Sequence, residues 1–348
     1  MTRAEMASII LAGGKGTRMG VADKHKGTFE IAGVPAIIRL LDQLEEVGIR
    51  FNILVVGAFA EQLMGVISTK SNHTPMYTFQ PVQKGTGNAA KMGIRALKAA
   101  GFEGDILIVP GDAIIEPAIL RTLIKTYRSS RTDMAILVMD KAHGREFGHV
   151  VQDKDGSVLG SIEYWDIMKG ILTKRMALMM SDCGKGSAST EAALHGIKKL
   201  LETELIEERR IRKVFPSIYQ AIIDCEKAGS TAAACNAACA IIEGVLDRSP
   251  RGFTIKGQFF DAEALQRDTR YVNVSIYLCS AATCYEYIER ITSNNAQNEE
   301  YLTDILQILA EDGKKIVAVP LTKPEDVMSF NTPEELDRIN QHVSSTKH

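Results

Sequence analysis

The feature that most limits what this 348-residue chain can become lies in its first 140 residues, where short β-branched runs alternate with longer amphipathic segments. Runs at 7–11, 52–56, 77–79, 105–109 and 134–138 read as strands, and helical patterns fill about 36–47, 60–67, 87–99 and 116–127. Consecutive parallel strands need a long crossover, which a helix supplies, so this alternation predicts an α/β fold of βα units on a largely parallel sheet. In such sheets phosphate ligands sit at the carboxyl ends of the strands, where loops turn into helices.

From about residue 148 the texture changes. Two short strands flank the turn Lys154-Asp155-Gly156 and predict a hairpin. The stretch 166–257 is rich in helix formers and closes at Arg248-Ser249-Pro250-Arg251-Gly252, which predicts a helical insertion. Strand texture returns at 253–256 and 271–278, helices follow at about 281–290 and 300–311, and a last strand at 316–320 precedes a final helix. The expected division is a catalytic domain made of 1–165 and 258–348, interrupted by the insertion 166–257.

Composition narrows the partners. Forty-one basic residues against forty-three acidic ones leave no overall field to hold a nucleic-acid backbone, so no nucleic-acid partner is expected. No apolar run reaches the length of a membrane span, and the amino end lacks a secretory pattern. Cys183, Cys225, Cys235, Cys239, Cys279 and Cys284 form no CxxC pair, and read as reduced, packed thiols of a cytoplasmic protein. The spacing of Cys235 and Cys239 suits helix packing better than a metal site.

The strongest chemical signal is Leu11-Ala12-Gly13-Gly14-Lys15-Gly16-Thr17-Arg18-Met19, directly after the first strand. Glycines let a loop turn its N–H groups toward an anion, and Lys15 and Arg18 supply the charge a triphosphate requires. The spacing fits neither the P-loop nor the dinucleotide fingerprint. Alone, the segment also reads as a glycine-rich turn with solvated charges.

With this loop the sequence resembles the sugar-1-phosphate nucleotidyltransferases, most closely the bacterial-type N-acetylglucosamine-1-phosphate uridylyltransferases. Further matches follow in order: Lys26, Gln80-Pro81-Val82-Gln83-Lys84-Gly85-Thr86-Gly87, Gly111-Asp112, Phe147-Gly148, Ile162-Glu163, Val272-Asn273, Asn294-Asn295-Ala296-Gln297, Tyr301-Leu302-Thr303-Asp304 and Phe330-Asn331. The resemblance covers about 1–165 and 265–344 and leaves the insertion outside. It implies a Rossmann-like, mixed but mostly parallel sheet flanked by helices, with a nucleotide-binding half at 1–140 and a sugar-binding half at 141–165 plus 258–348.

The resemblance also implies roles. Leu11, Ala12, Gly13, Gly14, Gly16, Thr17, Gln80, Gly85 and Thr86 would hold UTP, with a glutamine amide able to donate and accept against a pyrimidine edge. Thr86 is also placed to cap the helix that follows it. Lys15, Arg18, Lys26 and Asp112 would be catalytic. Asp112 and Asn331 would bind Mg²⁺, although Asn331 also stands where a helix cap belongs. Gly148, Glu163 and Asn273 would contact a sugar 1-phosphate, N-acetylglucosamine 1-phosphate first. The reaction implied is UTP plus sugar 1-phosphate giving UDP-sugar and pyrophosphate.

Several positions depart from the family pattern. His25 precedes Lys26 where proline is usual, with Lys24 close by; Asn298 replaces a glycine and Glu300 an aromatic; Val274-Ser275 replaces Thr-Gly. These changes gather on the sugar side, so glucose or another hexosamine phosphate stays open as acceptor. A cytidylyl-, thymidylyl- or guanylyltransferase, or a nucleotide-sugar-sensing subunit without turnover, are the competing readings. The insertion is expected to close over substrate, pair subunits in a homo-oligomer or decorate the surface. No hexapeptide repeat is visible, so no acetyl-transferring activity is expected.

Overall fold

The computed structural model describes residues 5–14, 19, 23–144, 146–184, 189–295 and 298–345. The chain divides into two compact units, Met1–Ile162 with Thr269–Ser293 and Glu299–His348, and Glu163–Asp268 with Asn294–Asn298.

Among the described residues of the first unit, nine strands form one mixed sheet: β1 (Met6–Ala12), β2 (Phe51–Val56), β3 (Met76–Phe79), β4 (Asp105–Pro110), β5 (Met134–Asp140), β6 (His149–Gln152), β7 (Val158–Ile162), β8 (Tyr271–Ser280) and β9 (Ile316–Pro320). Its path runs β7-β6-β8-β4-β1-β2-β3, with β5 paired to β8 and β9 to β5. The run β4-β1-β2-β3 is parallel, as the βα pattern requires, and β9 lies parallel to β5. The returning strand β8 enters antiparallel to β4, β5 and β6. The expected hairpin is β6 with β7.

Alternation along each strand fills both faces. Ala7, Ile9, Ile53, Val55, Ile106, Ile108, Ile136 and Val138 join one core with α3 (Thr86–Ala99), α11 (Ala281–Tyr287) and α12 (Asp304–Glu311). Ile10, Leu54, Val56, Leu107, Val109, Ala135 and Leu137 join the other with α1 (Ala36–Glu46), α2 (Ala60–Lys70) and α4 (Pro117–Ser130). Strands buried on both faces read as continuous apolar runs, which is how β4 and β5 look in the sequence. Gly93 lets α3 lie against β1, since a Cβ there would fall 2.4 Å from Ile9 Cγ2. A short antiparallel ribbon, Ile114–Ile115 with Val327–Met328, brings the stretch before α13 (Pro333–Ser345) beside the loop after β4.

In the second unit α5 (Tyr164–Gly184), α6 (Thr190–Leu205), α7 (Glu208–Val214), α8 (Pro216–Lys227) and α9 (Ala232–Leu246) share an apolar core that includes Leu172, Met176, Ile197, Leu201, Ile218, Ile222, Cys225, Cys235, Cys239 and Ile242. A hairpin, Gly252–Ile255 with Gln258–Asp261, leads into α10 (Ala262–Asp268). The hairpin's second strand and α10 are not marked by the sequence pattern. No helix among the described residues is long and apolar enough to cross a membrane.

Candidate active site

The carboxyl ends of β1 to β4 converge through backbone bonds that continue past the strands. Gly111 N–H donates to Leu11 O at 2.9 Å, and Gln80 N–H to Val56 O at 2.8 Å. Ala12 closes β1 and Gly13 follows it, fixed from two sides: the Gln83 side-chain amide donates to its carbonyl, and a Cβ on Gly57 would fall 2.7 Å from that same oxygen. Gly14 is exposed at the start of the loop. Lys15, Gly16, Thr17 and Arg18 lie outside the described residues.

Gln80, 5% exposed, uses its amide on its own loop. Nε2 donates to Gly85 O at 3.2 Å and to Asn88 Oδ1 at 3.0 Å. A carbonyl only accepts, so the NH₂ group must face Gly85, and both its hydrogens are spent. Oε1, which points at Gly13, keeps the spare hydrogen-bonding capacity. Gly85 has φ +109°, and a Cβ there would lie 2.4 Å from Glu300 O. Thr86 is the first residue of α3, and its hydroxyl accepts from Leu302 N–H at 3.1 Å instead of capping the helix. Gln83 is exposed and is the residue of this motif that sequence reading passed over.

Lys26, Asp112 and Asn331 meet, although up to 305 residues separate them. The Lys26 ammonium donates to Asp112 Oδ2 and, at 3.1 Å, to Asn331 Oδ1, and it lies 5.2 Å from the centroid of the buried Phe330 ring. Of the two nearby lysines this one faces the carboxylate; Lys24 lies over the Phe29 ring at 4.3 Å. Asn331 is free for this because Thr332 does the capping. Glu335 N–H donates to Thr332 Oγ1 at 3.3 Å, and the Glu335 carboxylate accepts from Asn331 and Thr332 N–H. Two oxygens of the hard type that Mg²⁺ takes therefore address one cationic point from distant segments, which fits a site completed by phosphate and water oxygens.

His25 is another residue that sequence reading did not assign to the site. Its ring is buried, with Nε2 at 2.8 Å from Ala12 O and Nδ1 accepting from Gly27 N–H at 3.0 Å. Burial pushes its basicity below the ordinary imidazole value, against the pull of the Ala12 carbonyl and the Asp112 and Glu61 carboxylates.

Gly148 and Asn273 are brought together, Asn273 N–H donating to Gly148 O at 2.8 Å. The Asn273 side chain is 2% exposed and largely committed: Nδ2 donates to Tyr277 Oη at 2.8 Å, and Oδ1 accepts from Ser275 N–H at 2.8 Å. Glu163 is the first residue of the second unit, where its carbonyl accepts from Asp166 and Ile167 N–H ahead of α5.

These features can be set beside known proteins. The bifunctional protein GlmU of Geobacter metallireducens is 24% identical over 333 residues, 95% of this chain and 49% of that protein. The protein of the same name from Sphingopyxis alaskensis is 34% identical over 163 residues, 46% of this chain and 34% of its own length. The chain thus spans about half the length of the first and a third of the second. A crystal structure of a putative glucose-1-phosphate thymidylyltransferase from Bacillus anthracis, in complex with a sucrose, superposes with a TM-score of 0.56 at 14% identity, covering 97% of this chain and 94% of that one, a likeness of fold. Residues 8–235 match the MobA-like NTP transferase domain, and the chain belongs to that nucleotidyltransferase family.

Proposed function

We propose that the chain transfers UMP from UTP to a sugar 1-phosphate, N-acetylglucosamine 1-phosphate in the first place, and releases pyrophosphate. The observation that carries this reading is the convergence of Lys26, Asp112 and Asn331 beside the carboxyl end of β1 in a chain of the NTP transferase family. The motif resemblance to uridylyltransferases favours the uridylyl donor, and the committed amide of Asn273 leaves the acceptor the more open of the two substrates.

In the reaction an oxygen of the sugar phosphate attacks the α-phosphorus in line, and pyrophosphate departs from the opposite side. A phosphate monoester has its second pKa near 6, so the nucleophile is already anionic at neutral pH and needs no general base. Catalysis is then positioning and charge neutralisation. Lys26 would contact the reacting phosphates, while Lys15 and Arg18 would hold the β- and γ-phosphates. Asp112 and Asn331 would hold Mg²⁺, which when bound neutralises charge on phosphate oxygens. Gly13, fixed between two loops, presents backbone to the nucleotide.

The test is pyrophosphate release with each common nucleoside triphosphate against a panel of hexose 1-phosphates. UTP with a hexosamine 1-phosphate should give the highest kcat/KM, and Asp112→Asn should lower kcat by about 10²–10³, the scale of one lost transition-state charge contact. Release with no pair of substrates would leave a nucleotide-sugar sensor as the better description. Unchanged kinetics for Asp112→Asn would remove that carboxylate from the chemistry.

A further inference from the structure

The turn that carries Lys26 is held by a residue to which no role is yet attached. His25 is 3% exposed, and each of its polar groups is occupied. Its ring spans from Ala12 O, 2.8 Å from Nε2, to Gly27 N–H, 3.0 Å from Nδ1. Its own N–H donates to Gln62 Oε1 at 2.8 Å, and its carbonyl accepts from Thr28 N–H at 3.0 Å and Thr28 Oγ1 at 2.7 Å. The Ala12 carbonyl can only accept and the Gly27 N–H can only donate. The ring must therefore be neutral, with its proton on Nε2. Burial favours the same neutral form.

This arrangement links two places that the chemistry needs in register. Ala12 is the last residue of β1, where the phosphate loop begins, and Gly27 is the residue after Lys26. The ring holds these two backbones at a fixed separation, with no bond to spare. Gly27 has little room to shift, since a Cβ on it would sit 2.9 Å from Leu63 Cδ1 and 3.3 Å from His25 Nδ1. Gln62 holds the turn from α2 as well, its Nε2 donating to Asp23 O at 2.7 Å. The resulting three-residue turn, Lys26–Thr28, is too short to fix its own direction without such partners.

We propose that His25 is a positioning residue: its neutral imidazole spaces the Lys26 turn from the end of β1 and so sets where the Lys26 ammonium stands against Asp112 and Asn331. The proposal rests on the functional reading above in that Lys26 acts on phosphates. It differs in asserting a geometric dependence that can be read without any substrate. An aromatic ring of similar size with no nitrogens removes both bonds. An amide of glutamine length restores a donor near the Nε2 position, and one of asparagine length restores an acceptor near Nδ1.

The experiment compares wild type with His25→Phe, His25→Gln and His25→Asn at a temperature at which circular dichroism shows each to be folded. The first readout is the acylation rate of Lys26 by an N-hydroxysuccinimide ester, followed by peptide mass spectrometry. In the wild type the amine is held by two oxygens and reacts slowly. His25→Phe should raise its rate at least tenfold, and His25→Gln less than threefold, because the link to β1 is kept. The second readout is steady-state turnover: His25→Phe should lower kcat by about 10–10², the scale of an ångström-sized misplacement, with KM changed less than threefold. A Lys26 acylation rate in His25→Phe equal to that of wild type overturns the proposal. If His25→Phe does not fold, a rate in His25→Asn, which loses the link to Ala12 O, equal to that of wild type overturns it instead. Wild-type protein that releases no pyrophosphate, yet shows the expected acylation pattern, supports the spacing role and counts against the functional reading alone.

Discussion

Replacing Lys91 by methionine tests how the loop ahead of α3 is held. Lys91 sits on α3 with a side chain 9% exposed; Nζ donates to Ile291 O at 2.9 Å and stands 2.7 Å from Glu300 Oε2, an ion pair at an angle unsuited to a hydrogen bond. Glu300 is the anchor of the loop, since its N–H donates to Lys84 O at 2.6 Å and its carbonyl accepts from Gly87 N–H at 2.7 Å. At 2.7 Å and an effective dielectric near 20 the Coulomb attraction is about 6 kcal/mol, most of which desolvation offsets. Removing one partner is different, because it strands the other charge. Lys91→Met should cost about 3 kcal/mol, Glu300→Gln about 2 kcal/mol, and the double variant about 2 kcal/mol less than their sum. The assay is urea unfolding at pH 7.5 with midpoints and slopes fitted for all four proteins. Nucleotide binding, measured alongside, should weaken about tenfold in Lys91→Met as the loop loosens, equivalent to about 1.4 kcal/mol. Costs that add within about 0.5 kcal/mol would refute the reasoning, since the two charges would then be screened from one another.

Two further outcomes follow from single positions. His25 binds its proton below the ordinary value of 6.5, so as pH falls through 6.5 the unfolded chain takes up a proton that the folded one refuses. Stability should therefore be level above about pH 7.5 and decline below 6.5 until the folded ring also titrates, and His25→Gln should remove that part of the slope in urea midpoints taken at pH 5.5 and 7.5; an unchanged slope would show that other groups carry it. Gly85→Ala should cost about 2–4 kcal/mol, from the positive φ and from a Cβ driven against Glu300, and a melting temperature within a degree of wild type would show that the loop yields freely.

The parts of the fold legible in the sequence were those with a local period. β1, β2, β4, β5 and α1 to α4 announce themselves because strands buried on both faces read as apolar runs and their helices show one apolar stripe. The break between α6 and α7 did not, since it falls at Ile206, with φ +59° and no glycine or proline to mark it. The same division runs through the site. Asp112 was legible as a carboxylate at the end of an apolar run, and Asn331 only as a cap or a ligand, because the choice depends on Thr332 and Glu335 taking the helix terminus. Their meeting depends on the ribbon between Ile114–Ile115 and Val327–Met328, two residues a side, which has no periodic signature. His25 was visible as an oddity before Lys26 but not as a strut, since its partner Ala12 lies thirteen residues upstream in a different element.

Two of the departures from the family pattern have a common physical logic. Ser275 and Asn298 stand where glycine is usual, and both adopt the left-handed region, with φ of +60° and +54°. The backbone therefore keeps a shape natural to glycine at residues that carry side chains. At Asn298 the residue type tolerates this, because asparagine visits that region more readily than most. At Ser275 support comes from outside: Asn273 Oδ1 accepts the Ser275 N–H at 2.8 Å, and the register of β8 against β5 slips between Asn273 and Tyr277. Asn273 is thereby drawn into holding the bulge, its Oδ1 toward Ser275 and its Nδ2 toward Tyr277. Serine thus occupies a left-handed position usual for glycine while its N–H closes onto a neighbouring amide, and the path of the chain is kept.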